Sequence, residues 1–247
     1  MKDNRFIKDL CILLFVLFLG TSSVFATTDV WEDQGIRKIG QISPLKPQSV
    51  EKKTNVSAIK KNVALPKDIS KSFAKEAIEA AIKEGYATQT KDGKFLPKKN
   101  IQRHEFVYMV NRAFHFKQGK KVSFSDLGEK SSYYSDASIA VSEDYIYVFK
   151  GNRFAPNKYF YRWELPYLLG RALKRDFSNV DTSILERYSD RGSIPPSAKG
   201  AAAYFVQKGW IRPVQKGKFG ATAILKKEEV VYALYRLRAE GQIKKPR

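Results

Sequence analysis

Apolar residues recur at three- and four-residue spacing in six separate stretches of the chain, as they do in helices that bury one face. The first predicted helix covers residues 74–84, with Ser72 as its N-cap residue and Gly85 as its C-terminal stop. The second begins near Arg103 and carries its apolar side chains on one stripe. The pattern therefore predicts two helices joined by a loop.

The same arrangement returns twice along the chain. The second pair is predicted at residues 134–143 and 165–173, and the third pair at residues 197–208 and 228–240. Pro166 falls about one turn into the fourth helix, where it removes a backbone donor. We therefore expect that helix to start late or to bend.

A glycine-containing turn and a phenylalanine precede the second helix of every pair. In each case the phenylalanine stands eight positions before a basic residue, and an acidic residue follows two positions later. The three sets are Phe95, Arg103 and Glu105, then Phe154, Arg162 and Glu164, then Phe219, Lys227 and Glu229. Matching spacings indicate an internal triplicate, and a two-helix unit cannot bury both of its faces alone. We predict a mainly α fold in which three helix-loop-helix repeats pack with pseudo-threefold symmetry, with the phenylalanines in the core.

The repeats are placed at residues 65–118, 119–182 and 183–243. Residues 27–64 have no helical or strand period and are broken by glycine and proline, so they are predicted to be a flexible leader or spacer. Residues 1–26 combine a basic start, a short apolar run and a small-residue exit, which is typical of a cleaved secretory signal peptide. The apolar run is shorter than the about 20 residues that a membrane span needs. We therefore expect no stable membrane span after the signal peptide has been cleaved. An uncleaved anchor is the alternative.

The net charge and the single cysteine limit the classes of function that the protein can have. The formal net charge is +20, of which the predicted signal contributes +1 (three basic less two acidic residues), so the mature chain keeps +19. Such a charge indicates an acidic polymer as partner, and an exported protein meets anionic wall polysaccharide first. The single cysteine, Cys11, lies in the signal, which excludes disulfides and a thiol nucleophile from the mature chain. The absence of disulfides in an exported protein favours a Gram-positive bacterium.

Catalytic and metal motifs are lacking. The two histidines, His104 and His115, lie eleven positions apart with no cysteine to help, and no hydrolase or phosphate-binding motif occurs. We therefore expect no enzymatic activity, no metal and no cofactor. Nucleic acid is not expected as a partner, because the basic chain has no recognition motif.

Several motifs together resemble the S-layer homology repeat. They are the aromatic-x-Asp openings at residues 124–126 and 188–190, the glycine that ends the first helix, the Gly-x-Phe-x-Pro turn and the x-Arg-x-Glu helix start. The resemblance covers about residues 65–240. It implies three helix-loop-helix repeats in a trident-like, non-catalytic domain at the bacterial surface. In that family the domain binds secondary cell wall polysaccharide, which is often pyruvylated.

The resemblance also implies a set of ligand-binding residues. In the family, a Thr-Arg-Ala-Glu motif lines the grooves between repeats, and its arginine contacts the acidic sugar. By position this gives Arg103 with Glu105, Arg162 with Glu164, and Lys227 with Glu229, together with the repeat-opening Asp68, Asp126 and Asp190. Trp163 is a further candidate, because it sits inside the motif and sugar sites favour an aromatic face beside polar groups.

This chain departs from the family motif at the threonine. Gln102, Tyr161 and Lys226 replace it, so none of the three Ser/Thr-x-x-Glu capping boxes is expected to be intact. Lys227 also lacks the planar fork with which arginine grips a carboxylate. We expect two working grooves at most.

Two alternatives stay open. Arg103 and Arg162 could form structural ion pairs, either with the glutamate one helical turn away or with a repeat-opening aspartate. The whole chain is predicted to be an exported, non-enzymatic wall-binding protein. The alternative is a protein-protein interaction module of an envelope or spore assembly that has lost polysaccharide binding. In either case the leader could bind another envelope protein.

Overall fold

The computed structural model describes residues 36–37 and 64–243, so the predicted signal peptide and most of the predicted spacer lie outside the described residues. Six α-helices occur in this part of the chain: α1 Lys75–Lys83, α2 Arg103–Phe114, α3 Tyr134–Ser142, α4 Glu164–Ala172, α5 Pro196–Gln207 and α6 Lys227–Ala239. Two short 3-10 helices, Ser183–Arg187 and Arg191–Ser193, precede α5. The prediction of a mainly α protein is confirmed. None of these helices is long and apolar enough to cross a membrane.

The helices pack in a closed order. The first helix of each pair lies against the second helix of another pair: α3 packs on α2, α5 packs on α4, and α1 packs on α6. The first and last repeats are thereby joined. Phe95, Phe154 and Phe219 are fully buried, which confirms that they belong to the core.

Three extended segments meet where the second helices begin. Each segment alternates buried and outward-facing positions, as a strand does. The buried positions are Ile101, Phe160 and Leu225. The segments form antiparallel bridges that pair Gln102 with Tyr159, Tyr161 with Ile224, and Asn100 with Lys226. Each segment therefore pairs with the other two.

One two-stranded sheet occurs in the described part of the chain. Strand β1, Ile36–Arg37, pairs antiparallel with β2, Val148–Phe149, and Ile36 lies opposite Phe149. β1 belongs to the predicted spacer, while β2 belongs to the loop of the second repeat. A piece of the leader thus adds a strand to the repeat domain.

Pro166 delays the start of α4, as predicted. Helices α2 and α6 begin at the motif residues Arg103 and Lys227, whereas α4 begins two residues after the equivalent Arg162. Pro166 has no N–H to donate to the Arg162 carbonyl, and the N–H of Leu165 donates to that oxygen instead, at 3.2 Å. The first turn is consequently of the tighter 3-10 type.

Candidate functional site

The N-terminus of every second helix is anchored in a different repeat. The motif residue of each helix donates its backbone N–H to a carbonyl that lies four positions before the motif residue of the next repeat. These bonds join Arg103 to Lys158 at 2.9 Å, Arg162 to Ala223 at 2.9 Å, and Lys227 to Lys99 at 3.0 Å. We name the resulting contact regions groove 1 at Arg103, groove 2 at Arg162 and groove 3 at Lys227.

In groove 1 the guanidinium of Arg103 lies inside an aromatic cage. Its side chain is buried, with 1% of the residue exposed, and Nη2 donates to the carbonyl of Tyr147. Its Cζ lies 4.5 to 5.5 Å from the ring centres of Tyr147, Phe149, Phe154 and Phe160. Burial lowers the pKa of Arg103, and the nearby acidic groups Glu164 and Asp126 oppose this shift.

Two nitrogens of Arg103 lack hydrogen-bond partners. Both Nε and Nη1 are buried, and no acceptor from the described residues reaches either of them. A buried donor without an acceptor is unfavourable by about 1–3 kcal/mol and is uncommon in native structures. Groove 1 therefore has two donors to which residues 64–243 offer no acceptor.

Acidic and basic side chains border this cage. Glu164 accepts hydrogen bonds from the Tyr147 hydroxyl at 2.6 Å and from the N–H of Tyr161 at 2.7 Å, and burial raises its pKa. Lys158 Nζ lies 4.2 Å from the centre of the Phe149 ring, and partial burial lowers the pKa of the lysine. Lys158 itself is exposed, so it brings positive charge to the outside of groove 1.

In groove 2 every side-chain nitrogen of Arg162 donates a hydrogen bond to another residue of the protein. Arg162 is 1% exposed, and its Nη1 binds Glu229 Oε1 at 2.8 Å. Nε donates to the carbonyl of Phe219 at 3.2 Å, and Nη2 donates to the carbonyl of Arg212. Burial lowers the pKa of Arg162, while the carboxylate of Glu229 opposes this shift. All three nitrogens already have acceptors.

In groove 3 the lysine makes a weaker contact. Lys227 is 6% exposed, and its Nζ lies 4.6 Å from the ring centre of Phe95. Its distance to Glu105 Oε1 is 3.9 Å, and the same oxygen is 3.2 Å from Lys99 Nζ. Burial lowers the pKa of Lys227. Two cations share one carboxylate, and the ammonium lacks the planar fork of two nitrogens that a guanidinium would offer.

The basic residues and the glutamates pair across repeats, which differs from the pairing expected within each motif. Arg162 binds the glutamate of the third repeat, and Lys227 lies near the glutamate of the first. The charge of Glu164 likewise acts on Arg103. The reason is geometric: each helix N-terminus enters the next repeat, so its first side chain meets that repeat's glutamate.

Each glutamate also caps its own helix. Its carboxylate accepts the backbone N–H three positions earlier, at 2.7 to 3.0 Å, and the donors are Gln102, Tyr161 and Lys226. The sequence predicts no intact capping box, yet the glutamate half of the box forms in all three repeats. This half needs only a backbone donor, so replacement of the threonine does not remove it.

The repeat-opening aspartates hold the turns. Their carboxylates accept backbone N–H groups of the Gly-x-Phe turn at 2.7 to 2.8 Å: Asp68 from Phe95 and Leu96, Asp126 from Phe154 and Ala155, and Asp190 from Phe219, Gly220 and Ala221. Although burial opposes it, these bonds lower the pKa of Asp68 and Asp190. All three carboxylates have a structural task.

Trp163 does not present its ring to solvent. The residue is 5% exposed, and its ring centre lies 6.4 Å from that of Tyr167. Trp210 is likewise buried and donates its Nε1–H to Glu240 at 2.8 Å. The ring of Trp163 is therefore not exposed for the sugar contact that the sequence predicts.

Other residues with recurring contacts were missed from the sequence. A tyrosine and an arginine four positions apart recur in every second helix, as Tyr108 and Arg112, Tyr167 and Arg171, and Tyr232 and Arg236. In α2 the guanidinium lies 3.5 Å from the ring centre. The fixed spacing could have revealed these pairs. No fixed sequence spacing marks Tyr147 and Lys158, because they come close to Arg103 only through the contact between repeats.

In the described part of the chain, no group of three or more histidine, cysteine, aspartate or glutamate side chains is arranged to hold a metal ion. The chemistry of the three grooves therefore consists of cationic donors, carboxylates and aromatic rings. Such groups suit recognition of an anionic, hydrogen-bonding ligand.

The arrangement agrees with the relationships of the sequence. Residues 67–107, which contain α1, the first Gly-x-Phe turn and the start of α2, match the S-layer homology domain family. The resemblance to that family is thus confirmed for this stretch.

A 140-residue stretch, 57% of this chain, is 26% identical to the Surface-layer 125 kDa protein of Lysinibacillus sphaericus. The aligned part spans 12% of that relative's length.

Proposed function

We propose that this chain is an exported, non-enzymatic protein of the bacterial cell surface that attaches to an anionic secondary cell wall polysaccharide. The S-layer homology match and the surface-layer relative support a role at the cell surface. The net charge of +20 supports an anionic polymer as ligand. In this proposal the three repeats form one pseudo-threefold domain, which is supported by equivalent hydrogen bonds at Asp68, Asp126 and Asp190.

The observation that carries the proposal is the pair of unbonded nitrogens on Arg103. A carboxylate, such as that of a ketal-linked pyruvyl group, would accept hydrogen bonds from Nε and Nη1. Each charge-assisted bond contributes about 1.5–3 kcal/mol. The half-buried ring of Phe149 lies 5.0 Å from Arg103 Cζ, and it would have to move for a ligand to reach the two buried nitrogens. Lys158 and Arg153 are exposed and add positive charge beside that ring.

Groove 1 is accordingly the main polysaccharide site. In groove 2 a ligand would first have to displace Glu229 or a carbonyl from Arg162, since all its nitrogens have protein acceptors. In groove 3 Lys227 offers a single buried ammonium beside Glu105. Within the expectation of two working grooves at most, we propose that groove 1 is the strong one.

A cell wall sedimentation assay tests this proposal. Mature protein is incubated with purified walls, with walls after mild acid has removed ketal pyruvate, and with walls after full extraction of the secondary polymer. The Arg103→Met variant is compared with a matched Lys227→Met control that changes another buried motif residue, in groove 3. Circular dichroism and thermal melting confirm that both variants fold.

The expected result is binding to intact walls, a sharp loss on either treated wall, and a selective loss for Arg103→Met. The measurements are repeated at raised salt, because nonspecific attraction between a basic protein and a polyanion fades steeply with ionic strength. Equal binding to stripped walls, or equal binding by a folded Arg103→Met variant, contradicts the proposal.

The second candidate is an interaction module in an envelope assembly, and one specific observation favours it. The edge of Val148–Phe149 accepts β1 as an added antiparallel strand. Main-chain pairing of this kind is a common way for a domain to bind an extended peptide. Undiminished binding to walls that lack the polymer but retain their proteins would support this candidate.

A further inference from the structure

The outward positions of the three extended segments form a ring of six side chains. The bridges pair Asn100 with Lys226, Gln102 with Tyr159, and Tyr161 with Ile224. Residues directly opposite in an antiparallel pair point to the same face, and so do residues two apart along one strand. Applied around the three segments, these two relations place all six side chains on one face. We call this set the axial ring.

The axial ring lies on the opposite side of the segments from the core. The alternate residues Ile101, Phe160 and Leu225 are buried beneath it, and Arg103 and Arg162 follow the same inward parity. The ring is therefore separate from the grooves. Its backbone is fixed by bonds between repeats, such as those from Leu225 N–H to the Phe160 carbonyl at 2.9 Å and from Ile101 N–H to the Leu225 carbonyl at 3.0 Å.

Two tyrosines in the axial ring are exposed. Tyr159 and Tyr161 each have 44% of their surface accessible, although they flank a buried phenylalanine on a segment whose backbone is bonded to the other two segments. Two positions along a strand are separated by about 7 Å. Lys226 Nζ donates to Asn100 Oδ1 at 2.6 Å, which holds the cation beside an amide. Gln102 contributes a second amide on the same face.

From this combination we infer that the axial ring is a second saccharide-binding site, which takes a sugar unit bearing an acidic substituent. Tyrosine rings offer a large rigid contact surface with little conformational entropy to lose. Amide side chains both donate and accept, as sugar hydroxyls require, and the ammonium of Lys226 matches an acidic group. The inference rests on the proposed function for the identity of its ligand, but it places the contact away from groove 1.

A comparison of paired variants tests the inference. The probe is the secondary polysaccharide released from walls by enzymatic digestion of the peptidoglycan, which leaves acid-labile pyruvyl groups in place, and its affinity is measured by isothermal titration calorimetry at moderate salt. The variant Tyr159→Ala with Tyr161→Ala removes both rings. The matched control, Tyr159→Phe with Tyr161→Phe, keeps the ring surfaces and loses only the hydroxyls.

We expect the alanine pair to weaken binding about tenfold, while the phenylalanine pair stays within about threefold of the unchanged protein. If the alanine pair binds as well as the unchanged protein, the axial ring is not a site and the proposed function stands. If the unchanged protein itself does not bind the polysaccharide, the proposed function fails and this inference fails with it.

Tyrosine nitration read by mass spectrometry gives a local measurement. Bound polysaccharide is expected to protect Tyr159 and Tyr161, while Tyr133, which is 39% exposed and lies outside the axial ring, stays reactive. Protection that appears without polysaccharide and rises with protein concentration, together with a dimer in sedimentation, would show that a second copy covers the ring. That outcome would overturn the inference.

Discussion

Replacing Asp190 with asparagine tests whether the repeat-opening carboxylates hold the turns. Its two oxygens accept three backbone N–H groups at 2.7 to 2.8 Å, from Phe219, Gly220 and Ala221. In the variant one oxygen becomes an amide nitrogen that cannot accept, so at least one bond is lost and the others become neutral. Hydrogen bonds to charged groups contribute about 1.5–3 kcal/mol and neutral ones about 0.5–1.5 kcal/mol.

The loss of one charged bond and the weakening of two others together amount to about 5 kcal/mol. Asp190 is partly exposed, and water can replace some of the lost bonding, so we expect a destabilisation of about 3 kcal/mol. For a domain of this size, such a change lowers the midpoint of thermal unfolding by about 6–12 °C.

The effect should depend on pH with a defined sign. The pKa of Asp190 is lower in the folded protein than its ordinary value of 3.8. A group of this kind contributes stability that is fully present above the unfolded pKa and is lost as the pH falls through the folded pKa. The deficit of Asp190→Asn is therefore expected to be constant from pH 7 to about 5 and to shrink below about pH 4.

Urea denaturation followed by circular dichroism at several pH values measures this deficit. The control is Asp92→Asn, which makes the same chemical change at an exposed turn aspartate of the first repeat. Destabilisation below about 1 kcal/mol at pH 7, or a deficit that is unchanged at low pH, would show that the carboxylate does not hold the turn.

Three further substitutions probe the grooves and can be measured by chemical denaturation. Arg162→Met should destabilise the fold by about 3–5 kcal/mol, because the carboxylate of Glu229 loses its buried partner. Lys227→Met should change stability by less than about 1 kcal/mol, because burial already disfavours its charge and its ion pair is long. Gly220→Ala should cost about 1–2 kcal/mol, since its φ is +83° and an added Cβ would meet Val214 Cγ1 at 2.5 Å; unchanged stability would contradict this reasoning.

The local features of the fold could be predicted because neighbouring residues determine them. Gly85 ends a stretch of helical periodicity, Pro166 lacks a donor, and Phe95 recurs at a fixed distance from a basic residue. Each of these acts within a few positions of itself. The positions of the helices and the late start of α4 were accordingly readable from the sequence.

The groove contacts could not be predicted in the same way. Arg162 and Glu229 are 67 positions apart, and they meet only because each second helix enters the next repeat. The same packing of a second helix into the next repeat brings Arg103 into contact with Tyr147, although 44 positions separate them. A motif carried over by position identifies the right side chains, but it does not say which glutamate each of them faces.

The two arginines occupy equivalent positions, and their difference locates the proposed binding function. Both are buried, and both donate Nη2 to the carbonyl of an equivalent loop residue, so each helps to join two repeats. That shared role explains the presence of an arginine without any ligand. It does not explain why Nε and Nη1 of Arg103 have no acceptor among the described residues when those of Arg162 are bonded. An arginine retained only for packing would gain from the same acceptors, so the unbonded donors of groove 1 are the part of the site that calls for a ligand.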